Sequence, residues 1–175
     1  TQALAPERNS IMKKIPRDDP RSSYVATTTR VDLDGLVEFV TGKNRWVLST
    51  TRGDGHPQMS LVTGTITPSG DLLISSYPSR AKVRNTRRNP AVSVAVMGSE
   101  FNDAWVQIDG QGTVADMPEA GDGLVDYYRC ISGEHPDWTE YRQAMADQGK
   151  SLIRIRPTRW GPISTGGFPP ELFED

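Results

Sequence analysis

Between two β-like runs the chain reads Ser79-Arg80-Ala81-Lys82-Val83-Arg84-Asn85-Thr86-Arg87-Arg88-Asn89-Pro90, with five cations in nine positions and no acid. As a short helix this segment puts Arg80, Arg84 and Arg87 on one side. Lys82, in the first turn, can then point back toward the end of the preceding strand. Cations fixed beside the unbonded N–H groups of a helix start are a common way to hold a phosphate. A solvated basic helix without a ligand is the competing reading of the same charges. Nucleic acid fits poorly, because no aromatics interleave with the cations and the whole chain has 20 Lys+Arg against 22 Asp+Glu.

The other reactive residue types point to little chemistry of their own. His56 lies in Gly55-His56-Pro57 and His135 in Gly133-Glu134-His135-Pro136, each without a second His or Cys at ligand spacing. Both read as turn histidines, and no metal site is expected. Cys130, the only cysteine, excludes an internal disulfide and CxxC metal sites, and its place between Tyr128 and Ile131 suits a buried, inert thiol. No GxSxG, HExxH, Walker A or GxGxxG motif occurs. Tyr127, Tyr128, Trp138 and Tyr141 read as packing residues. No catalytic side chain is assigned.

The elements that must position the basic segment follow from periodicity. Leu33, Leu36, Val37 and Val40 fall at i, i+3, i+4 and i+7 behind an acidic start and before Gly42, which predicts a helix over 33–41. From Trp46 the pattern turns β-rich. Strands are expected over 46–51 and 58–67 around the turn 52–57, then over 72–76 after the turn 67–71. Further strands are expected over 91–97, 105–114 and 151–156. Residues 116–147 hold eight acids and two bases, and two helical periods there break at 133–136, with Asp137 a candidate N-cap. At least six strands with short connections predict a mostly β fold with peripheral helices, an antiparallel barrel.

Composition bounds the rest. A 175-residue chain of net charge -2 is one domain in size, and 35% hydrophobic content is low for a self-sufficient core. That points to loose ends, to a partner subunit that completes the burial, or to both. Residues 1–31 read as an extended or disordered arm, 32–160 as the domain and 161–175 as a Gly/Pro-rich tail. No run approaches the ~18 apolar residues of a membrane span, and no apolar signal stretch is seen, so a soluble, cytoplasmic protein is expected.

The succession Trp46-Val47-Leu48-Ser49-Thr50, Gly53-Asp54-Gly55-His56-Pro57-Gln58-Met59-Ser60, Leu72-Leu73-Ile74-Ser75 and Ser79 through Val92 resembles the pyridoxamine 5'-phosphate oxidase-like FMN-binding split β-barrel family. Within that family it is most similar to the actinobacterial F420-dependent oxidoreductases. Tyr127-Tyr128-Arg129-Cys130-Ile131-Ser132-Gly133-Glu134-His135-Pro136-Asp137-Trp138 with Tyr141-Arg142-Gln143-Ala144-Met145 resembles that subgroup over a longer stretch. The resemblance implies a six-stranded, Greek-key-like split barrel that pairs as a homodimer with two cofactor sites at the interface. It implies Arg80 and Lys82 as phosphate ligands, with Ser75, Ser76 and Asn85 near them. Gln58, Met59, Ser60 and Leu61 would line the ring system, Ser49 and Thr50 would come from the next strand, and Trp105 and Gln107 would reach in from the other subunit. Arg87 and Arg88 would be solvated or meet the acidic tail that distinguishes F420 from FMN.

The implied activity is hydride transfer between F420 and a small organic acceptor. The alternatives are an FMN-dependent, pyridoxamine 5'-phosphate oxidase-like flavoprotein and a non-catalytic flavin or F420 carrier. Arg156-Pro157-Thr158-Arg159-Trp160-Gly161-Pro162 and the tail after it depart from the C-terminal pattern of true oxidases of that kind.

Overall fold

The computed structural model describes Pro16 and residues 18–20, 25–100 and 102–167. Most of the expected arm and the last eight residues of the expected tail lie outside these. The elements in chain order are β1 (Thr28–Thr29), α1 (Leu33–Val40), β2 (Arg45–Thr51), β3 (Pro57–Ile66), β4 (Leu72–Ser76) and α2 (Ala81–Arg88). They continue with β5 (Ala91–Met97), β6 (Val106–Asp116), α3 (Gly121–Ser132), α4 (Trp138–Asp147), β7 (Ser151–Trp160) and β8 (Ile163–Ser164). Six strands close a barrel in the order β2-β3-β4-β7-β6-β5, each neighbouring pair antiparallel. Closure leaves no exposed sheet edge.

Strand alternation sets the interior. Trp46, Leu48, Val92, Val94, Val96, Val106, Ile108, Ile153 and Ile155 point inward into one buried cluster. Gly64 has no side chain because the Trp46 ring occupies that space: a Cβ there would lie 2.0 Å from the ring. Leu72-Leu73-Ile74 breaks the alternation because β4 is buried on both sides. Leu72 and Ile74 enter the barrel core, while Leu73 packs outside with Leu152 under α3 and α4, against Leu124, Val125 and Tyr141. The acidic segment is thus a two-helix layer on the β4–β7 wall. Its helices part at Gly133, whose φ of 80° suits glycine, and α4 starts at Asp137, which accepts the N–H groups of Thr139 and Glu140.

The barrel has two stopped mouths. At one, α1 buries Leu36 and Val40, and its N-cap Asp32 accepts the Gly35 N–H. At the other, α2 buries Val83, Asn85 and Thr86 against the ends of β2 and β3 and the middle of β6. Two features differ from expectation. The last barrel strand continues past Arg156 to Trp160, whose indole N–H donates to the Val31 carbonyl. Two-residue β1 pairs with β8, Thr28 opposite Ser164 and Thr29 opposite Ile163, so the ends flanking the expected domain meet each other.

Candidate functional site

A cleft of about 410 Å³ opens where β3, β4 and the first turn of α2 meet the α3–α4 layer. Lys82 of the basic segment lines it with Ser75, which the resemblance placed near it, together with Leu61 and Thr63 of β3, Tyr127 and Met145 of the helical layer, and Gln148 and Lys150 of the turn after α4. Burial pushes the Lys82 ammonium below the ordinary lysine range, and the neighbouring Arg80 cation lowers it further. Lys82 has no ion-pair partner among the described residues. Arg80 is the N-cap of α2 and is exposed, and no side chain caps the first-turn N–H groups. Lys82, the Ser75 hydroxyl and the start of α2 with its N-cap Arg80 therefore come together at this cleft. The Lys82 ammonium, the Arg80 guanidinium, the Ser75 hydroxyl and the start of α2 fit a phosphate. Ser76 lies on the opposite face of β4, inside the barrel mouth, where its buried hydroxyl has no hydrogen-bond partner among the described residues, and it is not one of these donors.

Register separates the other predicted residues. Ser49 lies opposite Met59, and Val47 opposite both Leu61 and Ala95. These residues form the outer face of β2, β3 and β5, with Met59 69% and Leu61 83% exposed. Gln58 and Ser60 take the opposite face of β3. Their polar groups join a chain: Gln58 Nε2 donates to Ser60 Oγ (2.8 Å), Thr50 Oγ1 to Gln58 Oε1 (3.3 Å), Asn85 Nδ2 to Thr50 Oγ1 (3.0 Å) and Arg88 Nη2 to Asn85 Oδ1 (2.8 Å). That chain ties α2 to the barrel. Ser49 and Gln107 border a second cleft, and Trp105, 41% exposed, a third with Met97 and Ala95.

Lys82 on the one hand and Gln107 and Trp105 on the other therefore lie apart, bordering different clefts. Gln107 Nε2 donates to Asp109, which also accepts from Ser93 and Arg159. These bonds bring the Asp109 carboxyl down to about 2. Arg87 pairs with Asp116, and Arg88 donates to the Thr51 carbonyl as well as to Asn85, so both have partners inside the chain. Cys130, on α3, is half-buried, less enclosed than its helical period suggests. Burial raises its thiol. Tyr128, Trp138 and Tyr141 form one ring cluster with centroids 5.0–5.8 Å apart, in keeping with their expected packing role, and His135, read as a turn histidine, packs into it as well. Sequence reasoning missed Tyr127, Gln148 and Lys150 as cleft residues. The available signal was a cation, Lys150, immediately after a long acidic stretch and before a strand.

The profile of the pyridoxamine 5'-phosphate oxidase family matches residues 33–164. The chain belongs to that family. Among solved structures, the family fold of this chain is similar to the conserved hypothetical protein Rv2991 from Mycobacterium tuberculosis, at 20% identity and TM-score 0.63 over 78% of this chain and 89% of that one. An F420 reductase is similar at 20% identity and TM-score 0.54 over 71% and 94%. The heme storage protein HutZ from Vibrio cholerae is similar at 17% identity and TM-score 0.56 over 78% and 98%. At these identities the likeness is one of fold. Among the described residues no helix is long and apolar enough to cross a membrane, and no three metal-ligating side chains cluster.

Proposed function

We propose that this family member is an F420-dependent oxidoreductase whose cofactor phosphate sits at Arg80, Lys82 and Ser75. The observation that carries the reading is Lys82, partly buried and without an ion-pair partner among the described residues, in a cleft beside an exposed apolar strand face. A ring-bearing phosphate ligand needs both parts: an anion clamp and a flat, apolar shelf. Met59 and Leu61 supply the shelf. The segment 127–145, which resembles the F420-dependent subgroup, walls the same cleft through Tyr127, Tyr141 and Met145.

When bound, reduced F420 supplies a hydride to an electrophilic carbon of a small organic acceptor, with the balancing proton drawn from solvent. The chain's part is placement. Lys82 and Arg80 hold the anionic end, the hydrogen-bonded chain from Ser60 to Arg88 keeps α2 seated, and the apolar strand face excludes water.

The assembly proposed is a homodimer. Met59, Leu61, Met97 and Trp105 are all exposed on the outer faces of neighbouring strands, a surface suited to a second copy. A site shared between two copies would bring Gln107 and Trp105 of one protomer toward the clamp of the other. Fluorescence titration with F420 and with FMN tests the reading, alongside sedimentation to measure mass. Lys82→Met should weaken binding about 10- to 100-fold, the equivalent of one charge-assisted contact, and leave the melting temperature unchanged. Tight FMN binding with no F420 binding would select the FMN-dependent alternative.

A further inference from the structure

We propose that the α3–α4 layer furnishes a second anion-binding point in the same cleft, Lys150, and that the ligand carries an anionic group beyond its phosphate. This rests on the cofactor reading of the cleft. Lys150 lies in the turn between α4 and β7 and is anchored on both sides of its own backbone: its N–H donates to the Met145 carbonyl (3.1 Å), and its carbonyl accepts the Met117 N–H (3.2 Å). The ammonium is held 3.9 Å from the centroid of the Tyr77 ring, and the Tyr77 hydroxyl reaches Gln148 Oε1 at 3.5 Å. Tyr77 follows the last residue of β4, whose Ser76 pairs with Ser151, so the lysine and its aromatic rest come together at one strand end.

Lys150 makes no ion pair with any described residue. It and Lys82 line one cleft from different elements, α2 and the turn before β7. Arg80 and Lys82 stand two residues apart at the start of α2, whereas Lys150 enters from the turn before β7. A single phosphate needs the pair. A ligand with a second carboxylate or phosphate would use both points. Arg87 and Arg88, the sequence candidates for such a group, are occupied by Asp116, Thr51 and Asn85. An ammonium resting on an aromatic face is oriented yet keeps its remaining donors available.

Equilibrium binding of FMN, with one phosphate, and of F420, with a phosphate and carboxylates, to wild type, Lys150→Met and Lys150→Arg tests this. Lys150→Met should weaken F420 binding about tenfold, reduce its salt dependence and leave FMN binding within twofold, and Lys150→Arg should restore F420 affinity. Equal losses for both cofactors would mean that Lys150 only shapes the cleft, and no loss for either would remove it from the site. Both results overturn the inference while the Lys82 clamp stands. Wild-type protein that binds neither cofactor overturns the functional reading and this inference together.

Discussion

Helices α1 and α2 each run eight residues and each stop one mouth of the same barrel, but they are built from different chemistry. The first buries Leu36 and Val40, closes its start with its own Asp32 and carries no cation. The second buries Asn85 and Thr86 beside Val83, leaves its start without a side-chain cap and carries five cations from Arg80 to Arg88. A buried amide and hydroxyl are tolerated only because each has a partner: Asn85 lies between Thr50 and Arg88, and Thr86 Oγ1 donates to the Lys82 carbonyl. Aliphatic burial would close that mouth at least as well. The polar solution ties the helix at a fixed depth and angle, which matters only if something on it must be placed. Lys82 is what is placed.

The largest expected effect separates the two mouths. Leu36→Ala removes most of a fully buried side chain and should cost about 2–5 kcal/mol, read as a fall in the urea midpoint. The folded fraction should bind cofactor with wild-type affinity. A parallel loss of affinity would mean that α1 also shapes the site, and the division between the mouths would fail.

Asn85→Leu should cost less, about 1–3 kcal/mol, because the helix keeps Val83 and only the links to Thr50 and Arg88 are cut. It should also weaken cofactor binding, although Asn85 is itself 6% exposed. Titrating both cofactors against this variant sharpens the contrast. If stability falls and affinity does not, the Ser60-to-Arg88 chain serves the fold alone.

How much of this was readable beforehand follows from the range of each signal. Apolar spacing from Leu33 to Val40, with Asp32 and Gly42 at its ends, marked α1 to within a residue. The turns near 52–57 and 67–71 marked the hairpins, since local backbone preference acts over a few residues. Ser75 and Lys82 were legible as neighbours because only seven positions part them. Tyr127 and Lys150 were not, because their place in the cleft comes from α3 and α4 folding back over β4, a long-range packing of Leu73 against Leu124 and Tyr141. The partners of Arg87 and Arg88 were hidden for the same reason, as Asp116 and Thr51 arrive from β6 and β2. Two-residue β1 and β8 are too short to carry any period.

The smallest expected effect concerns pH and sits wholly at the α2 mouth. Burial, helped by Arg80, holds Lys82 below the value of a free lysine. Between its folded and unfolded values the unfolded chain binds the extra proton, so this lysine favours the folded state more as pH rises through that window. Under the proposed clamp anion binding runs the other way, since the Lys82 ammonium that would hold the phosphate is lost over the same range. Cofactor affinity should therefore decline with rising pH before a free lysine would titrate, while this lysine's own contribution to unliganded stability rises slightly. In Lys82→Met the affinity slope should vanish, and the stability slope should lose only the lysine's rising part. What remains is the falling part from Cys130, Tyr127 and Tyr141, whose raised folded-state values cost stability as pH rises. In Leu36→Ala both slopes should match wild type on a lower stability baseline. Affinity and stability measured across the alkaline range in these two variants would locate the titrating group. An affinity slope surviving in Lys82→Met would assign it elsewhere.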